Sequence, residues 1–263
     1  MILAYIAVCA FGLVFGSFAN VLIYRIPREK SIVTGPSSCV KCETRLRPQE
    51  LVPVFSYIFL KGRCRYCRAP ISPRYPIVEL ITAAVFTALF ARFGLTAAFF
   101  AYAYLMLILI AVLFIDYDHR IIPDELVIAG LAGGAIAFAF NIFRPGGLVY
   151  GDGNWWTPLA GMASGSGALL LVAVIGSLVY RTDDAMGMGD VKLMAPIGVF
   201  LGWKLGLAAL FFSVLLAGVT SLLLIALRLK GRKDTIPFGP FIVAGAFIAM
   251  LWGWKIIDWY TGL

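Results

Sequence analysis

The sequence is short of charge. Asp, Glu, Lys and Arg make up 14% of its 263 residues, against roughly 25% in an average globular protein. Apolar residues take their place: AVILMFWYC account for 61% of the chain, and the mean hydropathy is +0.92. A soluble fold of this length cannot hide so much apolar surface in its interior. A soluble domain is therefore excluded, and an all-α polytopic membrane protein is expected. The chain has no internal repeat of fixed period, so a transporter built from inverted repeats gains no support. It also lacks the strand, Gly-rich loop and helix of a nucleotide-binding fold, so nothing independently demands a nucleotide-like cofactor. No basic residue precedes the first apolar stretch, which reads as an uncleaved helix rather than a secretory signal. The one histidine, His119, has no Ser or Cys partner and reads as a polar interface residue.

Apolar stretches fall near residues 2–24, 77–91, 95–115, 124–143, 157–180, 190–203, 205–228 and 238–257, which predicts about eight transmembrane helices. Those at 77–91 and 190–203 are short, consistent with tilt or partial re-entry. The net charge of +8 is not spread evenly, because 11 of the 22 basic residues lie between Arg25 and Arg74. Basic density beside a span marks a cytoplasmic loop. With both termini outside, 18 basic residues face the cytoplasm and only Arg92, Arg144, Lys204 and Lys255 face away. Nucleic acid is not an expected partner; membrane lipid is. The segment 144–156 ends in Trp155 and Trp156 and reads as an outer connector with an interfacial aromatic belt. The expected organisation is a first helix at 1–24, a basic loop at 25–76 and a membrane core at 77–263.

Four of the five cysteines form Cys39-x2-Cys42 and Cys64-x2-Cys67. Two such turns bring four thiolates around one Zn2+. Flanking Lys41, Arg63, Arg65 and Arg68 are expected to favour the thiolates. The competing readings are redox pairs or disulfides, the latter disfavoured in a reducing cytoplasm. Four sulfur ligands leave no open position, so the expected zinc is structural and staples a loop that has little apolar content of its own. Cys9, inside the first span, reads as a small apolar residue.

The acidic residues number 14, so their placement is informative. One apolar stretch ends in Ile115-Asp116-Tyr117-Asp118-His119-Arg120, and another begins Gly187-Met188-Gly189-Asp190. Two predicted spans separate Asp116 from Asp190, so both carboxylates return to the same face. Two carboxylates in an apolar setting do not ionise together, and one keeps a proton. Such a pair can activate water and protonate a carbonyl oxygen. Gly187 and Gly189 are expected to let a substrate strand approach and to permit unusual dihedrals. Acids at helix starts are also ordinary caps, the role read for Asp124, Asp183 and Asp184.

These motifs, taken with Phe15-Gly16-Ser17-Phe18-Ala19-Asn20-Val21, Tyr24-Arg25-Ile26-Pro27, Ile71-Ser72-Pro73-Arg74-Tyr75-Pro76-Ile77-Val78-Glu79 and Pro237-Phe238-Gly239-Pro240, resemble the type IV prepilin peptidase family across nearly the whole chain. The resemblance implies that Asp116 and Asp190 form an aspartic protease pair. It implies cleavage of prepilins or pseudopilins of pilus and type II secretion systems, after Gly, at the cytoplasmic side of the bacterial inner membrane. It further implies S-adenosylmethionine-dependent methylation of the new N-terminus, at a site in the N-terminal half. Glu79 is the candidate there, although a helix-start acid facing the macrodipole explains it equally. Asn20 and Arg25 are weaker candidates, since an interhelical polar contact and a snorkelling cation explain them well. Rival readings are a presenilin-like intramembrane protease, a peptidase without methyl transfer, and a proton-coupled transporter.

Overall fold

The computed structural model describes residues 1–143, 154–180, 187–231 and 234–262. Most of the expected outer connector, and the caps read at Asp183 and Asp184, lie outside these residues. Among the described residues there is no β-strand, only two isolated bridges joining Ser38 to Arg45 and Arg63 to Pro70. Seven described helices are long and apolar enough to cross a membrane. The helices are α1 (Ile2–Arg25), the short α2 (Phe55–Phe59), α3 (Arg74–Phe93), α4 (Ala97–His119), α5 (Asp124–Phe143), α6 (Thr157–Tyr180), α7 (Met188–Ala226) and α8 (Gly239–Thr261).

The eighth span is folded into α7. This helix has 39 residues, about 58 Å at 1.5 Å per residue, roughly twice the hydrocarbon thickness. Gly202 interrupts it with φ 72° and ψ 177°, a backbone conformation that L side chains avoid. A Cβ placed on Gly206 would sit 3.7 Å from the Cα of Gly198, whereas eight residues of straight helix span about 12 Å. The chain therefore reverses at Gly202, and its two legs correspond to the stretches expected at 190–203 and 205–228. At the reversal, the Lys204 ammonium lies 5.6 Å from the Trp203 ring and 5.7 Å from the Trp254 ring, as interfacial aromatics and cations do.

The chain divides into two compact units, Met1–Gly94 and Leu95–Leu263. In the first, α1 and α3 form an antiparallel pair with a constant register. Tyr5 meets Phe90 edge to face at 4.9 Å. A Cβ on Gly12 would fall 2.6 Å from the Cα of Ala83, and one on Gly16 would fall 2.5 Å from the Cα of Glu79. Asn20 donates to the Tyr75 carbonyl at 3.0 Å. Lipid offers no hydrophobic gain for bringing helices together, so contact at backbone distance is what holds such a pair. The basic loop spans the two helix ends.

In the second unit α4 is the central helix, with Leu105, Leu109, Ile110 and Ile115 among its fully buried side chains. The other helices approach through small residues. Gly130 and Gly134 of α5 leave room for Pro196 and Val199 of α7, and Gly253 of α8 leaves room for Leu205. Tyr104 of α4 donates to the Ala129 carbonyl of α5 at 2.7 Å.

Candidate active site and candidate metal centre

Apolar sequence carries α4 up to Ile115, and then the helix stops. Arg120 adopts a left-handed conformation, its N–H closing onto the Asp116 carbonyl at 2.9 Å, and Pro123 lies beyond. Asp116 thus occupies the last helical turn, only 6% exposed, beside a Tyr117 that is 70% exposed. Its Oδ2 accepts the backbone N–H of Gly239 at 3.0 Å. Gly239 opens α8, where first-turn N–H groups have no partner inside the helix.

Asp190 lies in the first turn of α7, after the N-cap Gly187. Two contacts fix the start of α7. Lys192 pairs with Asp124, the first residue of α5, at 2.9 Å. A Cβ on Gly189 would lie 3.1 Å from the Cβ of Ile122, so this glycine sets the helix start against the turn that follows α4. The result brings Asp116 within electrostatic reach of Asp190. The expected face-sharing of the two carboxylates is thus realised by neighbouring helix ends.

The glycines act by size, not by unusual dihedrals. Gly187 is extended at φ −64° and ψ 121°, open to any residue. A Cβ there would stand 3.3 Å from Asp190 Oδ2, so its value is the space left over the carboxylate.

One site residue escaped the sequence reading. Gly239 appeared only as part of a Pro-Phe-Gly-Pro motif, with no role attached. The segment that leads to it is fastened to the end of α4, where Arg120 donates to the Thr235 hydroxyl at 2.9 Å, and is braced within itself, where Lys230 donates to the Thr235 carbonyl at 3.2 Å. The available signal was a glycine between two prolines at a helix start, where one free N–H must find an acceptor.

The four paired cysteines meet in the first unit. Each Cys-x2-Cys is framed by the same knuckle. Cys39 N–H bonds the Thr44 carbonyl and Glu43 N–H bonds the Cys39 carbonyl; Cys64 with Ala69, and Arg68 with Cys64, repeat the pattern. Glu43 and Arg68, at equivalent places, both take positive φ. The four sulfurs lie within 4.8 Å of one another, with Cys39 and Cys67 at 3.9 Å. Four thiolates at 2.3 Å from a tetrahedral ion would stand about 3.8 Å apart. The donor set therefore fits a metal ion.

The thiols are tuned by the knuckles rather than chiefly by the flanking cations. The hydroxyl and then the backbone of Thr44 bring Cys42 down to about 6. Backbone bonds from Cys67 and Tyr66 lower Cys64. Cys67 feels a lowering bond from the Ala69 backbone, yet desolvation and the neighbouring thiols push it up to about 11. Closely placed thiols resist sharing so much negative charge, and a dication at their centre relieves that repulsion.

The three residues considered for methyl transfer all hold backbone within their unit. Glu79, 7% exposed, accepts the Val54 N–H at 2.7 Å and the Ser17 hydroxyl. Val54 has φ 61°, strained for a β-branched residue, and the carboxylate holds it there at the start of α2. Arg25 donates to the carbonyls of Ser31, Thr34, Gly35 and Pro36. Asn20 reaches Tyr75, as described above.

An all-α, multi-pass protein with two acidic helix ends brought together is the architecture of a membrane aspartic peptidase. Family comparison agrees. The Bacterial Peptidase A24 N-terminal domain matches residues 10–93, and the Type IV leader peptidase family matches residues 103–222. A prepilin leader peptidase/N-methyltransferase of Bacillus subtilis (strain 168) is 36% identical over 250 residues, covering 95% of each chain. Proteins of the same name from Aeromonas hydrophila and Legionella pneumophila are 35% and 32% identical, covering 95% and 98% of this chain and 91% and 94% of their own. The chain belongs to the type IV leader peptidase family. No solved structure matches it.

Proposed function

We propose that the protein removes the leader of type IV prepilins or pseudopilins after Gly, at the cytoplasmic face of the bacterial inner membrane, and then methylates the new N-terminus. The observation that carries this reading is the pairing of Asp116 with Asp190 at two apolar helix ends. The names of relatives that match over almost the full chain support both activities.

Cleavage needs one carboxylate and one carboxyl group. The carboxylate takes a proton from water as the water oxygen bonds to the carbonyl carbon, and the carboxyl group gives its proton to the carbonyl oxygen. When the tetrahedral adduct collapses, the C–N bond breaks and the leaving nitrogen takes up a proton, freeing the new amine. Gly187 leaves space above Asp190 for the substrate backbone.

Methylation acts on that amine and so follows cleavage. S-adenosylmethionine, when bound, supplies an electrophilic methyl group. We place this step in the first unit, where Glu79, Asn20 and Arg25 order the surrounding backbone. Cys39, Cys42, Cys64 and Cys67 would hold one structural Zn2+ that keeps the two knuckles together. Incubating the purified protein with a prepilin, with and without S-adenosylmethionine, and weighing the products tests the whole reading. Uncleaved prepilin in both samples defeats it, and cleaved but unmethylated product in both leaves a peptidase alone.

A further inference from the structure

We propose that Gly239 is a positioning residue that makes Asp116 the carboxylate of the pair and leaves the proton on Asp190. This rests on the two-aspartate reading above and divides the roles that reading leaves open. Gly239 lies outside residues 103–222, the stretch matched by the peptidase family.

The surroundings of the two acids differ. Asp116 Oδ2 receives the Gly239 N–H at 3.0 Å in a buried setting. An amide N–H at a helix start needs an acceptor, and the dipole of α8 favours negative charge there. Pro240 follows and has no N–H, and the N–H groups of Phe241 and Ile242 both turn back to the Phe238 carbonyl. Gly239 is therefore the donor of that turn aimed at the acid. Arg120, at the C-cap of α4, adds a positive charge that acts on Asp116. Asp190 stands in the first turn of α7 and Asp116 in the last turn of α4, so the dipoles of their own helices work against this order. The direct bond outweighs them, because among the described residues no donor reaches the Asp190 carboxylate. Among the described residues its identified electrostatic partner is Asp116 itself, and the nearby Lys192 is committed to Asp124. A hydrogen bond to the charged form favours that form, and a neighbouring like charge disfavours a second one.

The residue type follows from space. A Cβ at position 239 would stand 2.5 Å from Oδ2 and 3.0 Å from Cγ of Asp116. Any side chain would push the acid away from its donor. In the hydrolytic step, Asp116 then takes the water proton and Asp190 protonates the carbonyl oxygen.

Two probes of opposite requirement test this on the full-length protein in detergent. A carboxylate opens an epoxide: its oxygen bonds to an epoxide carbon as the ring C–O bond breaks, and the released alkoxide takes a proton from water. A diazo ester reacts instead with a protonated carboxyl group, which gives its proton to the diazo carbon and then displaces N2. Peptide mass spectrometry should find the epoxide adduct on Asp116 and the diazo adduct on Asp190. Converting the Phe238–Gly239 amide to an ester removes the N–H without adding a side chain. It should lower both kcat and epoxide labelling of Asp116 by about tenfold or more, with KM within about twofold of the parent, because the loss acts on the acid and not on substrate binding. Gly239→Ala should lower both further. Reversed labelling, no epoxide adduct on Asp116, or an ester variant with unchanged kcat and labelling would overturn the assignment. Cleavage by Asp116→Asn or Asp190→Asn would instead defeat the peptidase reading itself, so the two failures are distinguishable.

Discussion

The two units solve the problem of placing polar groups in opposite ways. The first builds outward from one helix pair. Its ordering comes from backbone hydrogen bonds, two sulfur knuckles and side chains such as Arg25 that gather carbonyls. The second has almost nothing but helices, and it places two acids by ending α4 and starting α7 and α8 at one spot. Polar chemistry in the first depends on bonds that can be removed one at a time. In the second it depends on helix ends, which packing along the whole bundle fixes. On the proposed assignment of methyl transfer to the first unit and cleavage to the second, this contrast means that the two activities should fail separately.

The largest effect should come from the helix-end acids. Asp116→Asn and Asp190→Asn should each reduce prepilin cleavage, followed by gel shift, by roughly 10^2–10^4-fold or more, while the protein stays folded and inserted. Retained cleavage in either variant would break the distinction at its root.

Next in size is loss of the metal centre. Cys42→Ser or Cys64→Ser should lower zinc content from about one per chain towards none and open the loop to proteolysis. Methylation should fall with it, and cleavage less. Equal loss of both activities would show that the loop serves the second unit as well.

Glu79→Gln keeps one acceptor oxygen but loses the charge that holds the strained Val54. It should reduce methylation several-fold, in line with about 1 kcal/mol for a weakened hydrogen bond, and leave cleavage intact. Fully methylated pilin from this variant would remove Glu79 from that activity. The smallest effect belongs to Asp118→Asn, which should cleave within about twofold of the parent, as surface substitutions usually do.

Much of this arrangement was legible in the residues. The Cys-x2-Cys pairs announce a four-sulfur cluster, because a turn of that length sets two thiols side by side. Asp116 and Asp190 stand out because charge is rare in apolar helices. The break between the legs of α7 was visible as two stretches near 203–205, although the sharp reversal at Gly202 shows only in its backbone. What stayed hidden was carried by main-chain atoms. Gly239 lies 123 residues from Asp116, and an N–H donor leaves no side-chain signature at that range. The backbone bonds that lower Cys64 are of the same kind, and at Cys42 the Thr44 hydroxyl leads with the Thr44 backbone behind it, so the flanking cations looked more important than they are.

The most direct test of separate scaffolds presents a pre-cleaved pilin, in detergent with S-adenosylmethionine, to the double variant Asp116→Asn/Asp190→Asn and weighs the product. The expected product is a pilin heavier by one methyl group, from a protein that leaves full-length prepilin uncut. A pre-cleaved pilin of unchanged mass, under conditions where the parent protein methylates it, would contradict separate scaffolds.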